Sequence, residues 1–482
     1  MAPRRTAPAL LLTGALLLAG CGGGTDRAGD GAGGGSGPGP TVPPSGRPAD
    51  PADPLDREAL KDFNGDGYDD YATVLPSRSK DGEHTRSTLV VIYGSRGGLR
   101  PETAVRTSAG GDGDSVLALI RADLDGDGFT DLVGERGNSM KRQEAFALYG
   151  GPRGLSKAQV LGVPEQFTPK AAGDFDGDGH TDLLDGGSGG DGDPNALPGH
   201  EQGRLLLGPL DRSGRSARQV TLDLGQHGYA SPSGFLTGDF DGDRRSDVIL
   251  TYSFDAEEDE SAPDDLTSVA YYRGGPDGLV PGPPVAPSLA EAMGDIDDGP
   301  RGGTVGDVDK DGIDDVVAMG ESPARAGRLT VIHGARSGLG RGRAAQVITG
   351  TGSQWGLGTS VGDIDGDRTP DLLTGRPGFR LVDTDRLVVL PGGPGGHRAT
   401  NARTLSGDDP GLPGRPARFD LEQPTLLDVN GDRRQDAVLF SSYWNKGKGA
   451  ILVFPGTRDG LDAGHAQHIR TGDVGVRFKS GG

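Results

Sequence analysis

Seven nine-residue segments of this chain carry oxygen-bearing side chains at positions 1, 3, 5 and 9. They read DFNGDGYDD from Asp62, DLDGDGFTD from Asp123, DFDGDGHTD from Asp174, DFDGDRRSD from Asp239, DVDKDGIDD from Asp307, DIDGDRTPD from Asp363 and DVNGDRRQD from Asp428. The side-chain donors are Asp62, Asn64, Asp66 and Asp70 in the first; Asp123, Asp125, Asp127 and Asp131 in the second; Asp174, Asp176, Asp178 and Asp182 in the third. Asp239, Asp241, Asp243 and Asp247 serve the fourth, Asp307, Asp309, Asp311 and Asp315 the fifth, Asp363, Asp365, Asp367 and Asp371 the sixth. The seventh offers Asp428, Asn430, Asp432 and Asp436. A backbone carbonyl at position 7 adds one oxygen to each set, at Tyr68, Phe129, His180, Arg245, Ile313, Thr369 and Arg434. An all-oxygen set suits a hard cation, and calcium takes about six to eight oxygens at roughly 2.3–2.6 Å. No Cys or His recurs at the donor positions, which argues against zinc, and magnesium demands a stricter octahedron. The pattern therefore predicts up to seven structural calcium ions.

The competing reading is an EF-hand, which needs a bidentate Glu at position 12 and flanking helices. Position 12 is Thr73, Gly134, Asp185, Leu250, Ala318, Thr374 and Leu439, and six of these cannot act as a carboxylate. Glycine at positions 4 and 6 lets a short loop turn through positive φ. Arg244, Arg368 and Arg433 replace it at position 6 and bring positive charge near the ion. The expected order of affinity places the loops at Asp123 and Asp174 first and those at Asp239 and Asp428 last.

Each loop is followed by a short apolar, β-prone run such as VIL after Asp247 or LLTG after Asp371, and position 2 is always apolar. The loop thus joins two strands of a hairpin. A second motif recurs downstream as an apolar strand ending in a Gly-rich turn: LVVIYGSRGGL from Leu89, AFALYGGPRGL from Ala145, VAYYRGGPDGL from Val269, LTVIHGARSGL from Leu329 and ILVFPGTRDGL from Ile451. A fourth strand follows, such as AAQVITG from Ala344. The unit is strand A, metal loop, strand B, variable loop, strand C, Gly turn, strand D. Units of this kind standing 51 to 68 residues apart predict an all-β, seven-bladed β-propeller with four-stranded antiparallel blades.

The run Trp355-Gly356-Leu357-Gly358-Thr359-Ser360-Val361-Gly362-Asp363-Ile364-Asp365-Gly366-Asp367, continuing to Asp371-Leu372-Leu373-Thr374-Gly375, resembles an FG-GAP repeat. Such repeats occur in the integrin α-subunit head and in bacterial secreted proteins, together with the related VCBS-type repeats. The resemblance runs from about residue 57 onward and implies a seven-bladed propeller with calcium in the A–B loops. The other six copies match the calcium core more than the full motif. Integrin heads carry calcium in only some blades, whereas all seven loops here look competent. The resemblance gives Trp355 a core packing role.

Formal net charge is −21, and 26 of the 28 side-chain donors are carboxylates, so the rest of the chain is formally +5. The acidity belongs to the loops and not to an acidic tail. No basic stripe marks a nucleic-acid surface. Cys21 is the single cysteine, which excludes a disulfide framework.

Arg4 and Arg5 precede an apolar run from Ala9 to Leu18, a signal-peptide pattern too short for a membrane span. It ends in Leu18-Ala19-Gly20-Cys21, which is similar to a bacterial lipobox, with Cys21 as the lipidated residue. The expected organisation is a signal peptide over 1–20, lipidated Cys21 with a Gly/Pro-rich tether over 21–54, and a propeller over 55–482. Its approximate blades are 57–114, 115–166, 167–231, 232–298, 299–353, 354–420 and 421–482. Glu58–Lys61 is expected as strand A of blade one. His465–Arg470 is expected as strand D of blade seven, with Gly475–Phe478 closing the ring beside blade one. The address is exported, lipid-anchored on the extracellular side.

In the A-B-C-D order, metal loops and Gly turns share one face, and the dissimilar segments 76–87, 186–203, 254–268 and 376–386 share the other. Variable loops on a rigid scaffold are where binding sits. Phe379, Tyr443 and Trp444 are the candidate partner contacts there, with packing against neighbouring loops as the alternative for each. The leading functional expectation is a binding or adhesion module for an extracellular protein or glycan. The alternative is a carbohydrate-active enzyme or lectin using the propeller face or central channel. No GxSxG, HExxH or P-loop motif occurs, the eight histidines form no cluster, and no catalytic residue is assigned.

Overall fold

The computed structural model describes residues 57–478 except 58, 79–84, 109–114, 138–142, 187–201, 227–229, 254–262, 264, 295–301, 322–326, 350–356, 377–384, 411, 413–418, 420–422 and 443. Cys21, Trp355, Phe379 and Tyr443 lie outside the described residues.

The apolar runs between loops become strands, and the strands become blades. Six antiparallel sheets of four strands occupy residues 115–160, 169–223, 231–281, 303–349, 357–406 and 425–470. In each, strand order follows the chain, so every connection is a hairpin. The sheet of blade one has three strands, Tyr71–Arg78, Thr85–Ile92 and Val105–Ser108. Where a fourth was expected, Ala59–Lys61 forms a 3-10 turn. Its register with the sheet is replaced by single contacts, including the Lys61 carbonyl accepting from Asp70 N and from Arg121 of blade two.

From blade two to blade seven consecutive first strands touch one another, which places strand A innermost around the axis. Several of these strands carry a register shift, as between Leu117 and Leu119, Pro169 and Ala171, Pro232 and Gly234, and Leu357 and Thr359. A bulge of this kind adds twist where neighbouring blades converge. Strands B and C pack on both faces and are mostly buried, throughout in Asp436–Ser441 and Ala450–Phe454. This is why they read as continuous apolar runs rather than as alternation. Fourth strands are outermost and largely exposed, as in Arg218–Asp223.

Seven apolar clusters hold the ring, one at each blade–blade boundary. Phe63, Val91, Leu132 and Phe146 join blades one and two. The cluster of Tyr71, Ile92, Leu427, Phe440, Ile469 and Val476 joins blade seven to blade one. The ring is therefore closed by side-chain packing, together with hydrogen bonds between blades seven and one. Gln467–Arg470 is the last strand of blade seven as expected. The segment around Gly475–Phe478 forms no strand; it closes the ring by burying Val474 and Val476 and by an edge-on contact of Phe478 with Phe440 at 5.4 Å. Among the described residues no helix is long and apolar enough to cross a membrane.

Candidate metal centres

Six of the loops join the first and second strands of their blades, the loop at Asp62 joins the 3-10 turn Ala59–Lys61 to the strand Tyr71–Arg78, and all seven share one hydrogen-bond plan. The position-1 carboxylate accepts the position-6 N–H at 2.8–2.9 Å in all seven. The position-5 carboxylate accepts the N–H of position 7, from Tyr68, Phe129, His180, Arg245, Ile313, Thr369 and Arg434. Arg244, Arg368 and Arg433 adopt φ of 67–69° and make the same bond as glycine does. Arginine at position 6 thus leaves the local geometry intact, and its cost is confined to the left-handed backbone.

Position 9 does more than offer a ligand oxygen. Its side chain is 0–1% exposed in every loop. One oxygen accepts the position-2 N–H, as Asp131 does from Leu124 at 2.9 Å. The other accepts the N–H of the glycine that ends strand C, namely Gly94, Gly150, Gly208, Gly274, Gly334, Gly392 or Gly456, at 2.7–3.0 Å. Glycine is obligatory there because a Cβ would meet the position-8 carbonyl, at 2.3 Å for Gly150 on Thr130. The recurrent glycine after each third strand is therefore the partner of the ninth loop residue.

The loops also fasten each blade to the next. The apolar residue at position 2 (Phe63, Leu124, Phe175, Phe240, Val308, Ile364 or Val429) is buried in the cluster shared with the following blade. Backbone bonds cross the same boundaries, from Ser246 N to the Asp174 carbonyl, Asp314 N to Asp239 and Gln435 N to Asp363. Asp69 N to the Asp428 carbonyl at 3.1 Å repeats the bond between blades seven and one, and Asp428 N returns to Asp69 Oδ2 at 2.7 Å.

Burial of so many carboxylates has an electrostatic consequence. Burial, reinforced by the neighbouring carboxylates, pushes Asp70, Asp182, Asp247 and Asp436 up to about 7, Asp131 to about 8 and Asp371 to about 6. Asp174, Asp239, Asp307 and Asp428 at position 1 move in the same direction, again chiefly through burial. A cation held among these oxygens would favour the charged form of each group.

The donor set fits a hard divalent cation. Three carboxylate oxygens lie within 4.8 Å of one another in Asp123/Asp125/Asp127, in Asp174/Asp176/Asp182, in Asp239/Asp241/Asp243 and in Asp307/Asp309/Asp311. Asp125 Oδ1 is buried without a hydrogen-bond partner.

Five arginines that the sequence pattern did not reveal lie against position 3. Arg212 reaches Asp125 at 2.5 Å and Asp127 at 2.7 Å from the neighbouring blade. Arg218 faces Asp176 at 3.6 Å, Arg403 faces Asp365 at 3.0 Å, Arg273 pairs with Asp241, and Arg343 pairs with Asp309. The two loops with asparagine at position 3 have no such ion pair among the described residues. There the amide itself donates, Asn64 to Asp66 and Asn430 to Asp436. In blade five, His333 approaches Asp309 at 3.5 Å and Asp315 at 3.4 Å, a nitrogen the loop pattern did not contain.

The proposed aromatic contact is corrected at Trp444. It is 5% exposed, opens the short helix Trp444–Gly447 and packs against the His468 ring at 5.1 Å. It joins Leu439 and Leu452 in the cluster between blades six and seven and is a packing residue, not a surface contact.

Residues 307–374 match the model of the FG-GAP-like repeat family. Integrin alpha-PS2 of Drosophila melanogaster is 29% identical over 180 residues, which is 34% of this chain and 12% of that protein. The chain thus spans a small part of that relative's length. Among solved structures, a mutant of AofleA from Arthrobotrys oligospora aligns over 74% of this chain and 89% of its own, at 10% identity and a TM-score of 0.37. The chain carries an FG-GAP-like repeat, shares sequence with an integrin α chain and folds as a seven-bladed β-propeller.

Proposed function

We propose that this chain is an exported, lipid-anchored binding module whose propeller is stabilised by up to seven calcium ions. The observation that carries the reading is the division of labour between the two faces. Every metal loop is committed to the scaffold, because position 2 is buried against the next blade and position 9 is bonded to strand C. The segments expected on the opposite face differ in length and sequence, and such variable segments are where partner recognition belongs. Similarity to an integrin α chain supports adhesion as the class of activity. The lipobox-like Leu18–Cys21 and the tether over 21–54 support an extracellular address, where millimolar calcium suits loops lacking a twelfth-position ligand.

The test uses the full lipidated chain in detergent, screened against a glycan array and against purified envelope proteins, with calcium and with EDTA. Calcium-dependent capture without change in the captured molecule is expected. Product release from a polysaccharide panel would replace this reading with the carbohydrate-active alternative.

A further inference from the structure

Four residues in the metal loops occupy positive φ without being glycine: Arg244, Lys310, Arg368 and Arg433. All four are basic. A left-handed backbone is unfavourable for a residue that carries a side chain. Packing does not repay it at position 6, since a Cβ on Gly67, Gly179 or Gly312 meets nothing within 4 Å. Lys310, at position 4, stands where Gly366 and Gly431 are pressed by the Arg434 and Tyr68 side chains of the following loop; its own neighbour in that register is the short Thr369. The sequence therefore accepts strain at these points in exchange for charge.

Three of the four charges converge. Lys310, Arg368 and Arg433 line a cavity of about 830 Å³ together with Arg57 and Lys61. Its walls are the inner strands of blades five, six and seven, at Thr304–Gly306, Ser360–Gly362 and Thr425–Leu426, so it is part of the central channel at the metal-loop end. The volume lies in the range of about 300–1,000 Å³ typical of small-ligand sites. Four carboxylates also line it. Asp314 faces Arg57 at 3.5 Å, and Asp307, Asp363 and Asp428 are position-1 residues whose oxygens accept loop N–H groups. Among the described residues the Arg368 and Arg433 guanidiniums make no side-chain hydrogen bond or ion pair, and both residues are exposed. Guanidiniums present paired donors matched to carboxylate, sulfate and phosphate oxygens.

We propose that the metal-loop end of the central channel is a binding site for a polyvalent oxyanion, such as a short uronate- or sulfate-bearing saccharide, held by Arg368, Arg433, Lys310 and Lys61. This site is separate from the variable face and does not depend on what that face binds.

Arg368→Gly/Arg433→Gly removes two charges while restoring the residue that the backbone favours, so the fold is retained. Calorimetry of the full chain in calcium buffer would use trigalacturonate, a disulfated disaccharide and neutral maltotriose. At least one anionic probe should bind and maltotriose should not; which anion binds distinguishes carboxylate from sulfate ester. The double variant should bind at least tenfold more weakly with an unchanged or raised melting temperature. Arg153→Ser, on an exposed turn of blade two, should bind like the wild type. Lys61→Met, outside the loops, should weaken binding independently and decides the matter if the double variant melts lower. Wild-type affinity in the double variant and in Lys61→Met, an equal loss in Arg153→Ser, or no binding of either anion by the wild type would each overturn the proposal.

Discussion

Loops one and seven differ from loops two to six at a single donor, and the difference is balanced elsewhere. Asn64 and Asn430 occupy position 3 in the first pair, and five aspartates occupy it in the rest. Each of those aspartates faces an arginine: Arg212, Arg218, Arg273, Arg343 or Arg403. A loop with three carboxylates and a loop with four plus a guanidinium carry the same net charge. The charge at position 3 is thus absent or offset in every loop, while Arg244, Lys310, Arg368 and Arg433 and the Arg245–Asp243 and Arg434–Asp432 pairs add further positive charge to loops four to seven. In loops one and seven the adjustment is local, by an amide. In loops two to six it comes from the turn or strand of a blade folded against the loop, which makes charge balance depend on tertiary structure.

The largest expected effect is common to both classes. Asp70→Ala and Asp131→Ala each remove a carboxylate accepting two buried N–H groups, at a cost of about 2–5 kcal/mol in denaturant unfolding. The loss should persist in EDTA and be similar in the two loops; a loss confined to calcium buffer would mean that position 9 acts through the ion alone.

Next comes pH. Without calcium, carboxyls raised to about 7 at Asp70 and about 8 at Asp131 hold protons in the folded state that the unfolded chain releases near 4. Their contribution is fully present below pH 4 and is lost as pH rises through 7 to 8. The melting temperature in EDTA should therefore fall between pH 5 and 8, while calcium, which favours the charged forms, should flatten that slope. A parallel slope in the two buffers would show that the ion does not meet these carboxylates.

The comparison itself is sharpened by moving one charge. Arg212→Ala in an aspartate loop and Asn64→Asp in an asparagine loop both leave four carboxylates without a counter-cation. Each should tighten calcium binding at its own loop about tenfold and lower stability in EDTA. Arg212→Ala that weakens calcium binding would make the arginine a positioning partner for the ligands, not a charge balance. The smallest effect is Arg244→Gly, which relieves a φ of 69° and should stabilise by about 1 kcal/mol.

Much of this was readable from the chain because the loop is local. Donors within nine residues, apolar position 2 and the flanking β-prone runs specify the hairpin, and their recurrence specifies seven blades. The arginines were not readable, since Arg212 lies 87 residues from Asp125 and no periodicity links them. The glycine closing strand C was visible as a repeat, but its reason, contact with the position-8 carbonyl and a bond to position 9, exists only after folding. Glu58–Lys61 looked like a strand by analogy with the other blades; its described part forms a 3-10 turn. Trp444 looked like a loop aromatic until the helix Trp444–Gly447 turned it into the blade interface.

The central claim is that the loops bind calcium to hold blade to blade. It is tested most directly by thermal unfolding of the full chain across a calcium titration after EDTA treatment. For a site with a dissociation constant near 10⁻⁴ M, about 1 mM calcium stabilises by about 1.4 kcal/mol. Several such sites acting on one cooperative ring should raise the melting temperature continuously through the millimolar range. A melting temperature that is the same in EDTA and in millimolar calcium would contradict the account.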